Sequence, residues 1–97
     1  MELPVEIGRV CYSRSGRDQG KYFVIIGLLD DEEYVLIADG GVRKIGKPKK
    51  KKRKHLILKP IVLELIRDKF LNGQKVFDAE LKSAIINTGY VTQKEEE

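Results

Sequence analysis

Tyr22 to Leu29 reads Y-F-V-I-I-G-L-L, and no other stretch restricts the fold of this chain so tightly. With Lys21 at its head, it is a near-continuous run of aromatic, β-branched and aliphatic residues, which suits a strand covered on both faces. It is far too short to cross a bilayer, which takes about 20 apolar residues. Turn material bounds it on either side. Ser15-Gly16-Arg17-Asp18-Gln19-Gly20 precedes it, and two glycines so placed imply at least one position of positive φ. Asp30-Asp31-Glu32-Glu33 follows, an acidic connection of hairpin length. Strands are therefore expected on both sides, over Gly8–Ser15 and over Tyr34–Ala38.

Asp39-Gly40-Gly41 carries the D-G signal of a tight hairpin turn, and Val42 to Ile45 is expected as a short fourth strand. Gly46-Lys47-Pro48 ends that pattern. Lys49 to Lys54 are six consecutive cations, expected as a loop or extended arm because like charges repel and offer no apolar face. His55 to Leu58 is a candidate fifth strand. Hairpins this closely spaced, with glycine at the corners, imply a small, strongly bent sheet or barrel over residues 1–59. Residues 60–91 read as a helical extension packed on it. Ile61, Val62, Leu65, Ile66 and Phe70 recur at helical spacing after Pro60, with Asn72-Gly73 as a stop, so a first helix is expected there; its β-branched start could also continue the preceding strand. A second helix is expected from Asp78, as N-cap, to Thr88, with Gly89 as C-cap glycine. Pro4 argues against helix in the lead-in, and residues 92–97 read as a disordered polar tail.

The charge is unevenly placed. Arg43 to His55 holds nine of the 19 Lys and Arg residues and no acid. Residues 1–42 carry four basic and eight acidic side chains, and residues 56–97 six and seven. The net charge of +4 is thus +9 on this stretch and −5 elsewhere, the footprint of a surface that meets a polyanion. Three readings are open: a nucleic-acid clamp, a nuclear import signal over Pro48–Lys54, or a solvating loop. The clamp accounts best for a run of one sign. Its bias to lysine marks a surface of point charges, poor at bidentate base reading.

Catalysis has little to work with. His55 is the only histidine, so neither a histidine pair for a metal nor a histidine relay can form; its place beside the cations suits an auxiliary contact to a phosphate or base. The single cysteine, Cys11, excludes an intrachain disulfide and a cysteine-based zinc site, and reads as a packed small side chain. The carboxylates at 30–33 and 95–97 isolate no pair in an apolar setting. The S-G-R-D-Q-G-K turn does not match a phosphate-binding loop of the nucleotide-hydrolase type. A non-enzymatic protein without cofactor is expected. The start of the sequence lacks the basic and apolar segments of a signal peptide, and a cytoplasmic, monomeric protein away from membranes is expected. Tyr12, Tyr22, Phe23 and Tyr34 fall on strands, either as core or as a stacking face for unpaired bases.

Residues 8–40 resemble the KOW motif of ribosomal proteins and transcription elongation factors. The matching features are Gly8 and Val10, the turn Ser15 to Lys21 with Gly20 at the characteristic glycine, the strand Phe23–Leu28 and the return Tyr34–Asp39. With the basic continuation, the similarity covers residues 5–58 and looks like bacterial KOW-domain RNA-binding proteins related to small archaeal and eukaryotic large-subunit ribosomal proteins. The resemblance implies an SH3-like β-barrel, mainly β with α once the C-terminal extension is added. It also implies binding of structured, often ribosomal, RNA. Carried over by position, RNA-facing candidates are Arg14, Arg17, Gly20 and Lys21 at the turn. Lys47, Lys49, Lys50, Lys51, Lys52, Arg53 and Lys54 follow in the basic loop, which also brings Arg43, Lys44 and His55. Many members place a second glycine where this chain has Tyr22-Phe23. The other reading the resemblance allows is a KOW module that docks onto ribosomal or transcription proteins without touching RNA.

Overall fold

The computed structural model describes residues 3–90. Five strands form one antiparallel sheet: β1 (Arg9–Ser13), β2 (Tyr22–Leu28), β3 (Tyr34–Ala38), β4 (Lys49–Lys52) and β5 (Leu56–Val62). Their spatial order is β4-β3-β2-β1-β5, so the sheet is open, with β4 and β5 as its edges. A 3-10 turn (Arg53–His55) links those two strands, and α1 (Glu64–Leu71) and α2 (Asp78–Asn87) complete a fold that is mainly β with α. Neither helix is long and apolar enough to cross a membrane.

The apolar run at the centre behaves as its composition demands. Val24 of β2 stands opposite Val10 of β1 and Ala38 of β3, and this row packs under Ile66, Val76, Leu81 and Ile85 from the helical segment. The alternate row, Cys11, Phe23, Ile25, Val35, Ile37 and Leu56, forms a second cluster on the other face. Phe23, Val24 and Ile25 are consecutive and fully buried, which requires cover on both faces. Each such side chain contributes about 1.5–3 kcal/mol by burial.

Four expectations need correcting. Lys49–Lys52 is not a loop but a strand, and Arg53–His55 is a turn of 3-10 helix. Lys52, Lys51, Lys50 and Lys49 pair with Tyr34, Val35, Leu36 and Ile37 respectively. Alternation sends neighbouring ammonium groups to opposite faces, which eases the repulsion that disfavours a lysine run. What remains is weak in water, about 1 kcal/mol per pair at 4 Å.

Val42–Ile45 is not a strand but part of the long β3–β4 connection. Asp39 explains why. Its Oδ1 accepts the Gly41 and Arg43 N–H groups at 2.9 and 2.8 Å, and the Arg43 carbonyl accepts the Asp39 and Gly40 N–H groups. The loop thus closes on itself rather than on the sheet. Gly40, at φ +80, lies against α2: a Cβ there would stand 2.2 Å from the Asp78 carbonyl oxygen.

The fifth strand runs on through Pro60, and α1 begins only at Glu64. The β1–β5 register shifts between the Arg9 and Cys11 pairs, and Pro60 falls in that irregular part of an edge strand, where a missing N–H is tolerated. The Leu63 N–H donates to the Gly8 carbonyl at 2.8 Å, holding the chain extended past the point where a helix was expected. Asp78 is the first residue of α2 rather than its N-cap, which is Phe77. Its Oδ1 instead accepts the Ile45 N–H at 2.7 Å, binding the β3–β4 connection to the helix. Gly89 has the positive φ expected of it. The tail 92–97 lies outside the described residues.

Candidate nucleic-acid interface

Two segments far apart in sequence carry the cations. One is the β1–β2 turn, where Gly16 and Gly20 take φ +80 and +89. The turn is closed by Gly20 N–H to the Ser13 carbonyl, Gln19 N–H to Gly16 and Lys21 N–H to Asp18. The other is β4 with the 3-10 turn. They meet directly. The Arg14 N–H donates to the His55 carbonyl at 3.0 Å, and the Lys51 ammonium donates to the Ser15 carbonyl at 3.0 Å.

His55 reports the field at this junction. Partial burial, and then Lys51, Lys54, Lys52 and Arg14, hold its imidazole below the ordinary histidine range. Every charged group acting on it is a cation, and they come from both segments.

The expected RNA-facing residues divide three ways. Arg14, Arg17, Lys44, Lys47, Lys50 and Lys54 are exposed, and Lys21, Lys49, Lys52 and His55 are half-buried. Lys50 and Lys52 share a face with Tyr34, their ammonium groups 4.6 and 5.9 Å from its ring centroid, so part of their stems lies on the ring. Two arginines have partners within the chain. Arg43 grips Asp18 with Nη2 3.2 and 3.1 Å from the two carboxylate oxygens and Nε at 3.3 Å, which ties the β3–β4 connection to the glycine turn. Arg53 donates its Nη1 to the Glu32 carbonyl and its backbone N–H to the Glu33 carbonyl, fastening the 3-10 turn to the acidic hairpin. Gly20 and Lys51 are buried.

Sequence reasoning passed over Asp18, Lys59 and Tyr90. Asp18 is 2 % exposed and holds the turn; the one signal for it was a single acid inside a basic turn. Tyr90 stacks on Tyr22 with ring centroids 4.9 Å apart, and Tyr22 meets Tyr12 at 5.0 Å. The Lys59 ammonium lies 5.7 to 6.0 Å from all three rings. Of the four aromatics singled out from the sequence, Phe23 is core and the three tyrosines are half-buried.

The chemistry elsewhere is limited. Burial pushes the Cys11 thiol up to about 12, so it stays protonated at neutral pH, and its Sγ lies 3.6 Å from the Phe23 carbonyl. Among the described residues no group of three or more metal-ligating side chains comes together. A groove of about 790 Å³ opens beside Leu3–Val5 and β5, rimmed by Arg53 and Lys54. A scan against protein-family models matches no family.

Proposed function

We propose that this chain is a non-enzymatic, cytoplasmic RNA-binding protein that grips structured RNA, ribosomal RNA being the expected target, by its phosphates. The surface is β4, the 3-10 turn and the β1–β2 glycine turn. The observation that carries this reading is that the fold joins the two cationic segments, the Arg14 N–H donating to the His55 carbonyl and the Lys51 ammonium to the Ser15 carbonyl, each at 3.0 Å. Each cation that neutralises a phosphate releases condensed counterions, so binding falls steeply as salt rises.

The same reading takes the sheet as SH3-like. Four strands form a meander, and the fifth returns to pair with the first, with register shifts in β1 and β2 where a small sheet bends. The residues that resemble the KOW motif, 8–40, are those that form β1, the glycine turn, β2 and β3. Base discrimination is weak on this reading, because lysines set as point charges do not read bases.

Neutralising Lys49, Lys50, Lys51 and Lys52 to glutamine is expected to lower affinity for structured RNA at least tenfold at about 0.1 M salt, and to flatten the salt dependence. Fluorescence anisotropy over a salt series reads both. Unchanged binding overturns the reading, and a stoichiometric protein partner that survives nuclease treatment favours a docking module instead.

A further inference from the structure

Lys51 is the anomaly of the basic face. It sits in a solvent-edge strand, yet only 8 % of it is exposed. Its partner across the ladder, Val35, belongs to the inner apolar cluster, so Lys51 projects inward while Lys50 and Lys52 project out. No carboxylate pairs with it among the described residues; its ammonium donates to the Ser15 carbonyl alone, although it has three hydrogens to give. The nearby buried acid, Asp18, is committed to Arg43. A buried cation without a counter-charge is costly to keep, and replacing it with an apolar group of similar length is the cheaper arrangement.

The turn it reaches is equally short of partners. The N–H groups of Ser15, Gly16, Arg17 and Asp18 donate to no acceptor among the described residues, although Arg14 before them and Gln19, Gly20 and Lys21 after them all do. Successive free N–H groups around a positive-φ residue are the material of an anion-binding nest. Gly16 supplies that residue, and a Cβ on it would stand 3.2 Å from the Lys51 ammonium. Glycine therefore leaves the ammonium room against the backbone of the turn. Exposed Arg14 and Arg17 flank the turn.

We infer that Ser15–Asp18 and Lys51 form a seat for one phosphate group, the phosphate being taken from the RNA backbone. The occupant rests on the RNA reading above; the seat itself rests on the free amides and on a buried ammonium that has a carbonyl partner but no counter-charge. Lys51 supplies the counter-charge and the amides supply direction, so the seat fixes the register of the RNA on a face whose other lysines act as diffuse charge.

The test is amide-resolved NMR on the full chain, titrated separately with inorganic phosphate and with a short RNA hairpin. The resonances of Ser15, Gly16, Arg17 and Asp18 are expected to move with both. In Lys51→Met the stem is kept and the charge removed: the phosphate response is expected to vanish, oligonucleotide affinity to fall about tenfold, and the melting temperature not to fall. The parent titration stands alone should that variant fail to fold. An oligonucleotide that moves other amides but not these four overturns the seat and leaves the RNA reading intact. Movement of these four with inorganic phosphate alone, without any response to RNA, supports the seat and overturns the RNA reading. No response to either overturns both.

Discussion

β4 and β5 are the two edges of one sheet, and they solve the same problem with opposite chemistry. An edge strand presents unpaired backbone groups that invite another chain to pair. β4 answers with four lysines, Lys49 and Lys51 on the face of Val35 and Ile37 and Lys50 and Lys52 on the other, while β5 reads L-I-L-K-P-I-V and answers with a proline and a register shift. β5 is held by its side chains: Leu56 is 7 % exposed and belongs to the inner cluster. β4 is held by its backbone ladder to β3, with lysine stems lying on the apolar residues opposite. The contrast separates what a strand needs in order to form from what it needs in order to bind. β5 can be weakened only at the expense of the fold, whereas β4 keeps Lys50 exposed and Lys49 and Lys52 half-buried, with only Lys51 drawn into the interior.

The largest expected effect breaks that contrast at β5. Leu56→Ala opens a cavity beside Phe23 and Val35 in the inner cluster and is expected to cost about 2–4 kcal/mol. Lys50→Ala on the opposite edge removes an exposed stem and one ring contact, and is expected to cost about 0.5 kcal/mol or less. Urea unfolding of the two variants measures both. Equal losses would mean that β4 is as firmly built into the core as β5.

The next effect concerns association rather than stability. If the β4 lysines keep the edge from pairing with a second chain, then Lys50→Val with Lys52→Val turns an outward charged row into an apolar one beside Tyr34 and Leu36. The double variant is expected to keep its secondary structure by circular dichroism and to self-associate at concentrations where the parent does not, as light scattering would show. A monomeric double variant would assign the lysines to ligand binding alone. Pro60→Val, on the edge already blunted by its shifted register, is expected to associate less.

The same two strands mark how far the sequence could be read. β1, β2 and β3 are legible because an apolar run bounded by glycine and acidic turns specifies them locally. β4 is not, because four identical residues carry no periodicity. The alternation that makes them a strand is imposed by Val35 and Ile37 across the ladder. The boundary between β5 and α1 was ambiguous for a similar reason: Ile61 and Val62 fit either period, and the Leu63 bond to Gly8 decides it. The basic character of the site was legible as composition. Its geometry was not, since Ser15 and Lys51 are 36 residues apart and each looked like solvent-exposed turn or loop. Arg43 and Arg53 looked like ligand-facing charge, and only the fold shows them fastening the turn and the hairpin.

The smallest expected effect lies at the join between the two segments. His55 is flanked by Lys54 beside it, Lys51 and Lys52 of β4, and Arg14 from the β1–β2 turn, and partial burial and these cations hold its pKa below the ordinary value of about 6.5. In the free protein the unfolded chain takes up a proton at higher pH than the folded one, so stability falls as pH drops through the ordinary histidine range. A bound polyanion cancels the cationic field and raises the pKa, so the complex takes up the proton that the free fold resists. RNA affinity is therefore expected to rise as pH is lowered from about 7.5 to about 5.5, beyond what the parent's other groups give in that range. His55→Asn is expected to flatten both profiles, leaving affinity at the upper end within about twofold of the parent. If the affinity profile of His55→Asn rises as steeply as the parent's, the phosphates do not reach His55. The binding surface would then lie on the outward lysines of β4 alone, away from the glycine turn.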